Sequence, residues 1–535
     1  MGALPAPVKT TRRQFIATAG GGALALLSGC GKSTAFPGRI VGASAAAGHR
    51  LRDGVFPKAR ETVETRVVVI GGGIAGLAAA RRLDSRGVRD LLLIELEQEP
   101  GGNAASGRNA VSAYPWGAHY VPLPNDESAE VLTLFEELGI VRGRDVKGAP
   151  IYDEETLCSD PMERLLDCGR WQDGFLPDLG VTDAERRQYD AFFARMEVFR
   201  MMRGREGRHA FAIPLDYSSQ IPELLALDKI TMAAWMKAQG WDAAPLLWYV
   251  DYCCRDDYGA GMEHVSAWAG VHYFASRRGR AANAERDSVV TWPEGNGWLA
   301  HKLAAPFAGR TRCGCIVWNV ESAGKETVVD YFDLARGRSV RIRAQGVVCA
   351  APRFVAQRFV RGLAPAAGLE YSPWMVANVT VDRLPEGNGV PLAWDNVSRR
   401  SPSLGYVVAT HQNLNPVQRE TVLTHYWPLD GGAPADERRR ALARTHGDWC
   451  GQVAADLDAT HPGIASHIRQ IDIWLWGHGM IRPVPGFLWG GTRRRMQQPH
   501  GMVVFAHSDM SGISIFEEAY IRGVHAADAL ISMLS

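Results

Sequence analysis

Two kinds of apolar pattern run along this chain. From Val67 to Ile70 four β-branched residues follow one another without a polar interruption, as in a strand buried on both faces, and they lead into Gly71-Gly72-Gly73. Residues 74–86 are Ala-rich with helical spacing and end at Gly87, which suits a left-handed helix cap. A second uninterrupted run, Leu91 to Ile94, ends at Glu95, so the order strand, glycine turn, helix, strand predicts a βαβ unit. From 126 to 285 the pattern is mostly helical and aromatic, as in SAEVLTLFEELGI and AERRQYDAFFARMEVFRMM. A strand-rich passage follows, with CIVWNVES, KETVVDYFDL, VRIRAQGVVCAAP and WMVANVTVD, before the C-terminus returns to strand and then helix.

Ahead of Arg66 the pattern fades. Residues 31–64 mix Gly, Ala, Ser, Pro and basic residues without apolar periodicity, which predicts a tether. Residues 1–30 carry Arg12-Arg13 before Phe15, then a small apolar run, then Leu27-Ser28-Gly29-Cys30. This resembles a bacterial twin-arginine signal ending in a lipobox, which implies export to the periplasm or cell envelope and a lipid anchor on Cys30. The run is too short and Gly-rich to predict a spanning helix, and no later stretch of about twenty apolar residues appears.

With 535 residues the chain exceeds one ordinary core, so two lobes are expected. Hydrophobic residues at 46%, charged residues at 22% and a net charge of +1 leave no electrostatic footprint for nucleic acid. The nine cysteines lack zinc-site spacing, so no metal is predicted, and buried free thiols are the expectation.

Gly71-x-Gly73-x-x-Gly76 follows a strand and opens a helix. The first glycine permits the turn, the second lets backbone approach a pyrophosphate, and the third lets the helix lie on the strand. The helix-opening amides of Ile74 and Ala75 then face the phosphates, and Glu95 at the end of the second strand is placed for ribose hydroxyls.

Gly101-Gly102-Asn103 and Gly117-Ala118-His119-Tyr120 extend this fingerprint, together with TWPEGNGWLAHKLA from Thr291, VVCAAP ending at Pro352, and VVFAHSDMSGISIFEEAYIRG near the C-terminus. On these motifs the chain resembles the flavin-containing amine oxidase superfamily, with polyamine and monoamine oxidases and, more distantly, phytoene desaturases. The resemblance implies an α/β fold in which a discontinuous Rossmann-type FAD-binding domain (66–125, 286–352 and 495–535) carries an α+β substrate domain (126–285 and 353–494). It implies FAD as cofactor, with Asp509 near ribityl or phosphate oxygens and Ile515, Phe516 and Glu517 opening a helix toward the flavin. It also implies hydride transfer from an amine-type small molecule to flavin N5, with oxygen or another carrier as electron acceptor. Two positions depart from the pattern: Glu97 and Asn103 stand where the superfamily usually has Arg, and Arg108 is the available compensation. Where many amine oxidases place a Lys beside the flavin, SPWMVANVTVD offers Asn378. That departure keeps open a dehydrogenase or desaturase acting on a less polar substrate, and an envelope flavoprotein without turnover.

The candidate catalytic side chains are His119, as a hydrogen-bonding or proton-handling group, His272 and Asn378. His264, Trp268 and His272 share a helical face at i, i+4 spacing and would line a channel or pack a core. Asp256 and Asp257 would hold a cationic amine or form a solvated face. For Trp474, Trp476, Phe487 and Trp489, core packing is favoured over a cation–π cage.

Overall fold

A computed structural model describes residues 36–413 and 418–535. The twin-arginine pair and Cys30 lie outside the described residues. The central element is a five-stranded parallel sheet in the order Thr311–Arg312, Leu91–Ile94, Val67–Ile70, Gly346–Cys349, Val503–Phe505. Its strands come from three distant stretches of chain because uninterrupted β-branched runs satisfy burial on both faces. Val69 stands between Leu93 and Val348, and all three are fully buried.

The helix Ile74–Ser85 packs against the C-terminal helix Phe516–Leu534. Their approach is close, since a Cβ on Gly523 would lie 2.1 Å from the Ala75 carbonyl oxygen. Gly87, with φ of +83°, follows the first helix at the predicted stop.

An eight-stranded sheet forms the second lobe, in the order Ile40–Gly42, Ile468–Ile481, Tyr371–Val381, Thr421–Pro428, Tyr406–Val408, Asp395–Ser398, Glu163–Asp167, Arg170–Asp173. Helices Asp183–Met201, Ala244–Tyr258 and Ala267–Ala275 pack with one another beside it. A four-stranded sheet contains Cys315–Ala323, Glu326–Asp333 and Arg338–Ala344.

The tether expected at 31–64 is corrected over its described part. Ile40–Gly42 pairs with the long strand Ile468–Ile481, Ala45–Asp53 is a helix, and Glu61–Glu64 pairs in parallel with Arg338–Ala344. The glycines that read as flexibility serve close approach: a Cβ on Gly38 would lie 1.9 Å from the Ile471 carbonyl oxygen, and one on Gly42 would lie 2.5 Å from the Trp474 ring. No helix among the described residues is long and apolar enough to cross a membrane. The eight cysteines of the described region are free.

Candidate active site

The glycine turn is held by its own backbone and by Glu95. Gly72 N donates to Glu95 Oε2 at 2.5 Å and Glu97 N to Oε1 at 2.8 Å, while burial raises this carboxyl above its ordinary range. Gly101 N donates to the Gly72 carbonyl at 2.9 Å, which lays the Gly101-Gly102 pair across the turn.

The three fingerprint glycines differ in what demands them. Gly71 has φ of +99°, and a Cβ there would lie 3.0 Å from the Ala350 carbonyl oxygen. A Cβ on Gly76 would lie 1.8 Å from the Gly71 carbonyl oxygen. At Gly73, φ is −70° and the nearest atom to a Cβ is Gly102 Cα at 3.7 Å, an ordinary contact. Protein packing therefore explains Gly71 and Gly76 but not Gly73, which leaves an open cradle at the N-terminus of Ile74–Ser85, where helix amides favour a phosphate.

A cavity partly open to solvent lies between the lobes, with roughly 1030 Å³ of empty space when the open solvent at its mouth is included. Asn103, the loop Gly117 to Tyr120, Asn296 and the segment Ser514 to Glu517 line it from one side. Asp256, Asp257, His272, Arg277, Trp374, Val376, Tyr426, Trp476 and Met480 line it from the other. The loop is fastened by TWPEGNGW: Thr291 Oγ1 donates to the His119 carbonyl at 2.7 Å, Asn296 N to Ala118 O at 3.0 Å and Asn296 Nδ2 to Tyr120 O at 2.9 Å. From the other lobe, Tyr426 Oη donates to Gly117 O at 2.8 Å and Asn378 Nδ2 to Pro115 O at 3.0 Å.

Each residue expected from sequence has a definite place. His119 lines the cavity with its ring 4.7 Å from Tyr426, 5.1 Å from Tyr120 and 5.4 Å from Trp394. Burial lowers its pKa to about 4, so it is a neutral aromatic wall. His272 also lines the cavity, with Nε2 donating to Ala212 O at 3.0 Å and its pKa again about 4 through burial. Asn378 is absent from the lining, which corrects its placement among the reacting groups. Its amide is consumed by Pro115 and by Thr424 Oγ1, which donates to Asn378 Oδ1 at 2.7 Å. The strand Tyr371–Val381 instead presents Trp374 and Val376 to the cavity.

His264 is exposed and precedes the helix, which starts at Ala267 because Ser266 caps it. Trp268 is fully buried, so the stripe divides into an exposed His264, a core Trp268 and a cavity-lining His272. Asp509 is buried away from the cavity lining and accepts from Arg353 N at 2.8 Å and Tyr371 Oη at 2.6 Å. Asn103 lines the cavity and its amide donates to the Gly479 carbonyl. Arg108 is exposed beside Glu294. Of the four C-terminal aromatics only Trp476 reaches the cavity, with Nε1 donating to Trp116 O at 2.6 Å.

The electrostatics centre on groups that sequence reasoning undervalued. Asp256 and Asp257 sit at the end of helix Ala244–Tyr258 and face the cavity; burial, and for Asp256 the neighbouring Asp257, raise both carboxyls. Arg277 lies 3.2 Å from Asp257 and stacks 4.7 Å from the Tyr273 ring. Burial raises Glu517 to about 7 and leaves its Oε2 without a hydrogen-bond partner, and Asn296 Oδ1 is likewise buried and unpartnered. Two orphaned acceptors in the wall call for donors on whatever fills the cavity. Arg277, Tyr426 and Trp374 carried no usable signal in sequence, because each reads as ordinary loop or core.

The chain matches the NAD(P)-binding Rossmann-like domain family over residues 69–138. Among solved structures, a putrescine oxidase double mutant aligns with a TM-score of 0.66 at 16% identity, covering 88% of this chain and 100% of that one. Cyclohexylamine oxidase from Brevibacterium oxydans aligns at 0.62 and 17%, also covering 88% and 100%. The fold is amine oxidase-like. Sequence relatives are shorter matches. Oxidoreductase PigB of a Serratia species is 22% identical over 299 residues, 51% of this chain and 42% of PigB. AofH of Mycobacterium tuberculosis, whose name carries the description flavin-containing monoamine oxidase, is 35% identical over 117 residues, 20% of this chain and 25% of AofH. The match thus spans under half of either relative, while the amine oxidase-like architecture extends over most of this chain.

Proposed function

We propose that this protein is an FAD-dependent oxidoreductase that oxidises a cationic amine. The fit of the cofactor rests on Gly73, a glycine that packing does not require, above helix amides with Glu95 hydrogen-bonded to the same turn, and on the unpartnered acceptors of Asn296 and Glu517. Gly71 to Gly76 and Glu95 would hold the dinucleotide, and Asn103, Gly117 to His119 and Ile515 to Glu517 the ring system. When bound, the flavin supplies the hydride acceptor.

The observation that carries the amine reading is the Asp256–Asp257 pair facing the cavity against one cation, Arg277. These carboxylates attract an ammonium, and Tyr426, Trp476 and the neutral His119 ring give it an aromatic box. Hydride loss requires the free amine. His119 and His272, at about 4, are weak bases, whereas a carboxyl raised toward 7, such as Glu517, accepts an ammonium proton near neutrality. The proton-handling role therefore moves from His119 to the acids.

A second reading, a dehydrogenase or desaturase of a less polar substrate with a carrier other than oxygen, is favoured by one observation. No Lys lines the cavity, and Ile213, Trp374, Val376 and Met480 give it apolar wall. The test is the visible spectrum of the purified protein before and after anaerobic mixing with monoamines, polyamines and amino acids. Bleaching by an amine supports the first reading, and readmitted air identifies oxygen as acceptor. Bound flavin that no amine reduces refutes it and moves the assignment to the second reading or to a binding flavoprotein. Export by the twin-arginine route to the periplasm or cell envelope, with a lipid anchor on Cys30, belongs to the same proposal, because a cofactor held tightly in a folded chain survives that route. Cell fractionation of the wild type and Arg12→Lys, Arg13→Lys checks it.

A further inference from the structure

The segment from Phe36 to Glu64 crosses from one lobe to the other and is fastened at three points. At its start Ile40–Gly42 extends the eight-stranded sheet, with Arg39 N donating to Asp472 Oδ1 at 3.1 Å and Ala43 N to Leu475 O at 3.3 Å. At its end Glu61–Glu64 joins the sheet of the nucleotide-side lobe, and Phe56 stacks on Trp318 at 5.7 Å. Between them Ser44 N and Oγ donate to the two oxygens of Glu97 at 3.0 and 2.6 Å. Glu97 in turn donates its own N–H to Glu95, the ribose acid of the proposed site.

The hold is shallow, made of edge hydrogen bonds, ring contacts and apolar residues such as Ala43 and Leu51 that are only partly buried. The helix Ala45–Asp53 has no buried residue, and Ile40 and Val41 are each 39% exposed. A segment with few buried apolar contacts opens locally without global unfolding. It thus combines a seat on the loop after the second strand with the means to leave it.

We propose that this segment is the closing strap of the dinucleotide site and that Ser44 is its latch, a positioning residue acting through Glu97. FAD enters and leaves when residues 40–44 lift from Glu97 and Trp474, and the latched strap makes the cofactor non-exchangeable. This rests on the FAD reading above.

The test uses the full chain. FAD release from the holoprotein is timed after dilution into excess apo-riboflavin-binding protein, and FAD entry into the apoprotein is timed by quenching of flavin fluorescence. Ser44→Ala removes one hydrogen bond to a carboxylate, so both rates should rise by about tenfold. Ser44→Thr, which keeps the hydroxyl, should restore them. Gly42→Leu, which drives a side chain into Trp474, should accelerate both further. Faster entry is the deciding readout, because general loosening of the fold speeds release without speeding entry. Release that quickens alone, or rates that match wild type in both variants, overturn the strap. A wild-type protein that binds no FAD overturns the cofactor reading and the strap with it; one that binds FAD with unchanged rates in the variants overturns the strap only.

Discussion

Replacing Gly73 with alanine separates a glycine kept for a ligand from one kept for packing. Its backbone, φ −70° and ψ 177°, is open to any residue, and a methyl would find only Gly102 Cα, at 3.7 Å. The fold loses the slight preference for glycine over alanine at a helix N-cap, a few tenths to about 1 kcal/mol. Against this stands about 0.4–1 kcal/mol gained by restricting the unfolded chain. The net is within about 0.5 kcal/mol of zero, a melting shift of at most about 2 °C. The cofactor meets a different surface, since the methyl occupies the open face above the first-turn amides. Losing two charge-assisted hydrogen bonds at about 1.5–3 kcal/mol each weakens FAD by about 10²- to 10⁴-fold. The assay pairs thermal melts of the apoprotein with a flavin-fluorescence titration. Gly76→Ala is the control, because its Cβ would stand 1.8 Å from a carbonyl oxygen and must force the helix off its strand at a cost of about 3 kcal/mol or more. If Gly73→Ala binds FAD with wild-type affinity, or melts as early as Gly76→Ala, the division of roles among these glycines is wrong.

Asp256→Asn should raise KM for a cationic amine by about ten- to a hundredfold. In the wild type KM should climb as pH falls and the raised carboxyls of the Asp256–Asp257 pair take up protons, and the variant should flatten that dependence. Glu517 and Glu163 are both raised to about 7 by burial, so their contribution to stability is full below about pH 4 and lost as pH rises through 7. The apoprotein should accordingly melt higher at pH 5 than at pH 8, and Glu517→Gln should shrink the difference; melts that do not change with pH in this window refute it. Asn378→Ala removes two buried hydrogen bonds and frees the loop before His119, so a loss of about 2–3 kcal/mol in chemical denaturation and a lower kcat with FAD retained are expected. His119→Phe should keep the wild-type pH–rate profile between pH 5 and 9, because the native imidazole is neutral throughout; loss of a limb would restore it as a base.

The parallel sheet and its turn were legible because buried β-branched strands and a glycine fingerprint are local signals, read within about thirty residues. The cavity was legible at Asn103, Gly117 to His119 and Ile515 to Glu517, and on the opposite wall at His272. The rest of that wall was not. Trp374, Val376 and Tyr426 alternate along strands whose remaining residues pack the core, and no sequence pattern tells a strand face turned to a cavity from one turned to a neighbour. Asp256 and Asp257 read as either an amine site or a solvated face because helical spacing does not reveal that the helix ends over an enclosed space. Asn378 was misplaced for a related reason: two residues beyond Val376 on the same face of its strand, it meets the Pro115 carbonyl instead of the cavity. The strap escaped notice because a strand docked by its edge needs glycines for approach rather than apolar periodicity.

The close seating of Ile74–Ser85 against Phe516–Leu534 fixes when during synthesis the nucleotide site can exist. The helix whose N-terminus would receive the phosphates is made hundreds of residues before the strands Gly346–Cys349 and Val503–Phe505 that complete its sheet and before the helix that meets it at Gly523. A nascent chain halted before Val503 would carry the entire glycine turn and still leave Gly346–Cys349 without its outer strand and Ile74–Ser85 without the helix that packs on it, so folding of this lobe, and loading with it, waits until those segments are made.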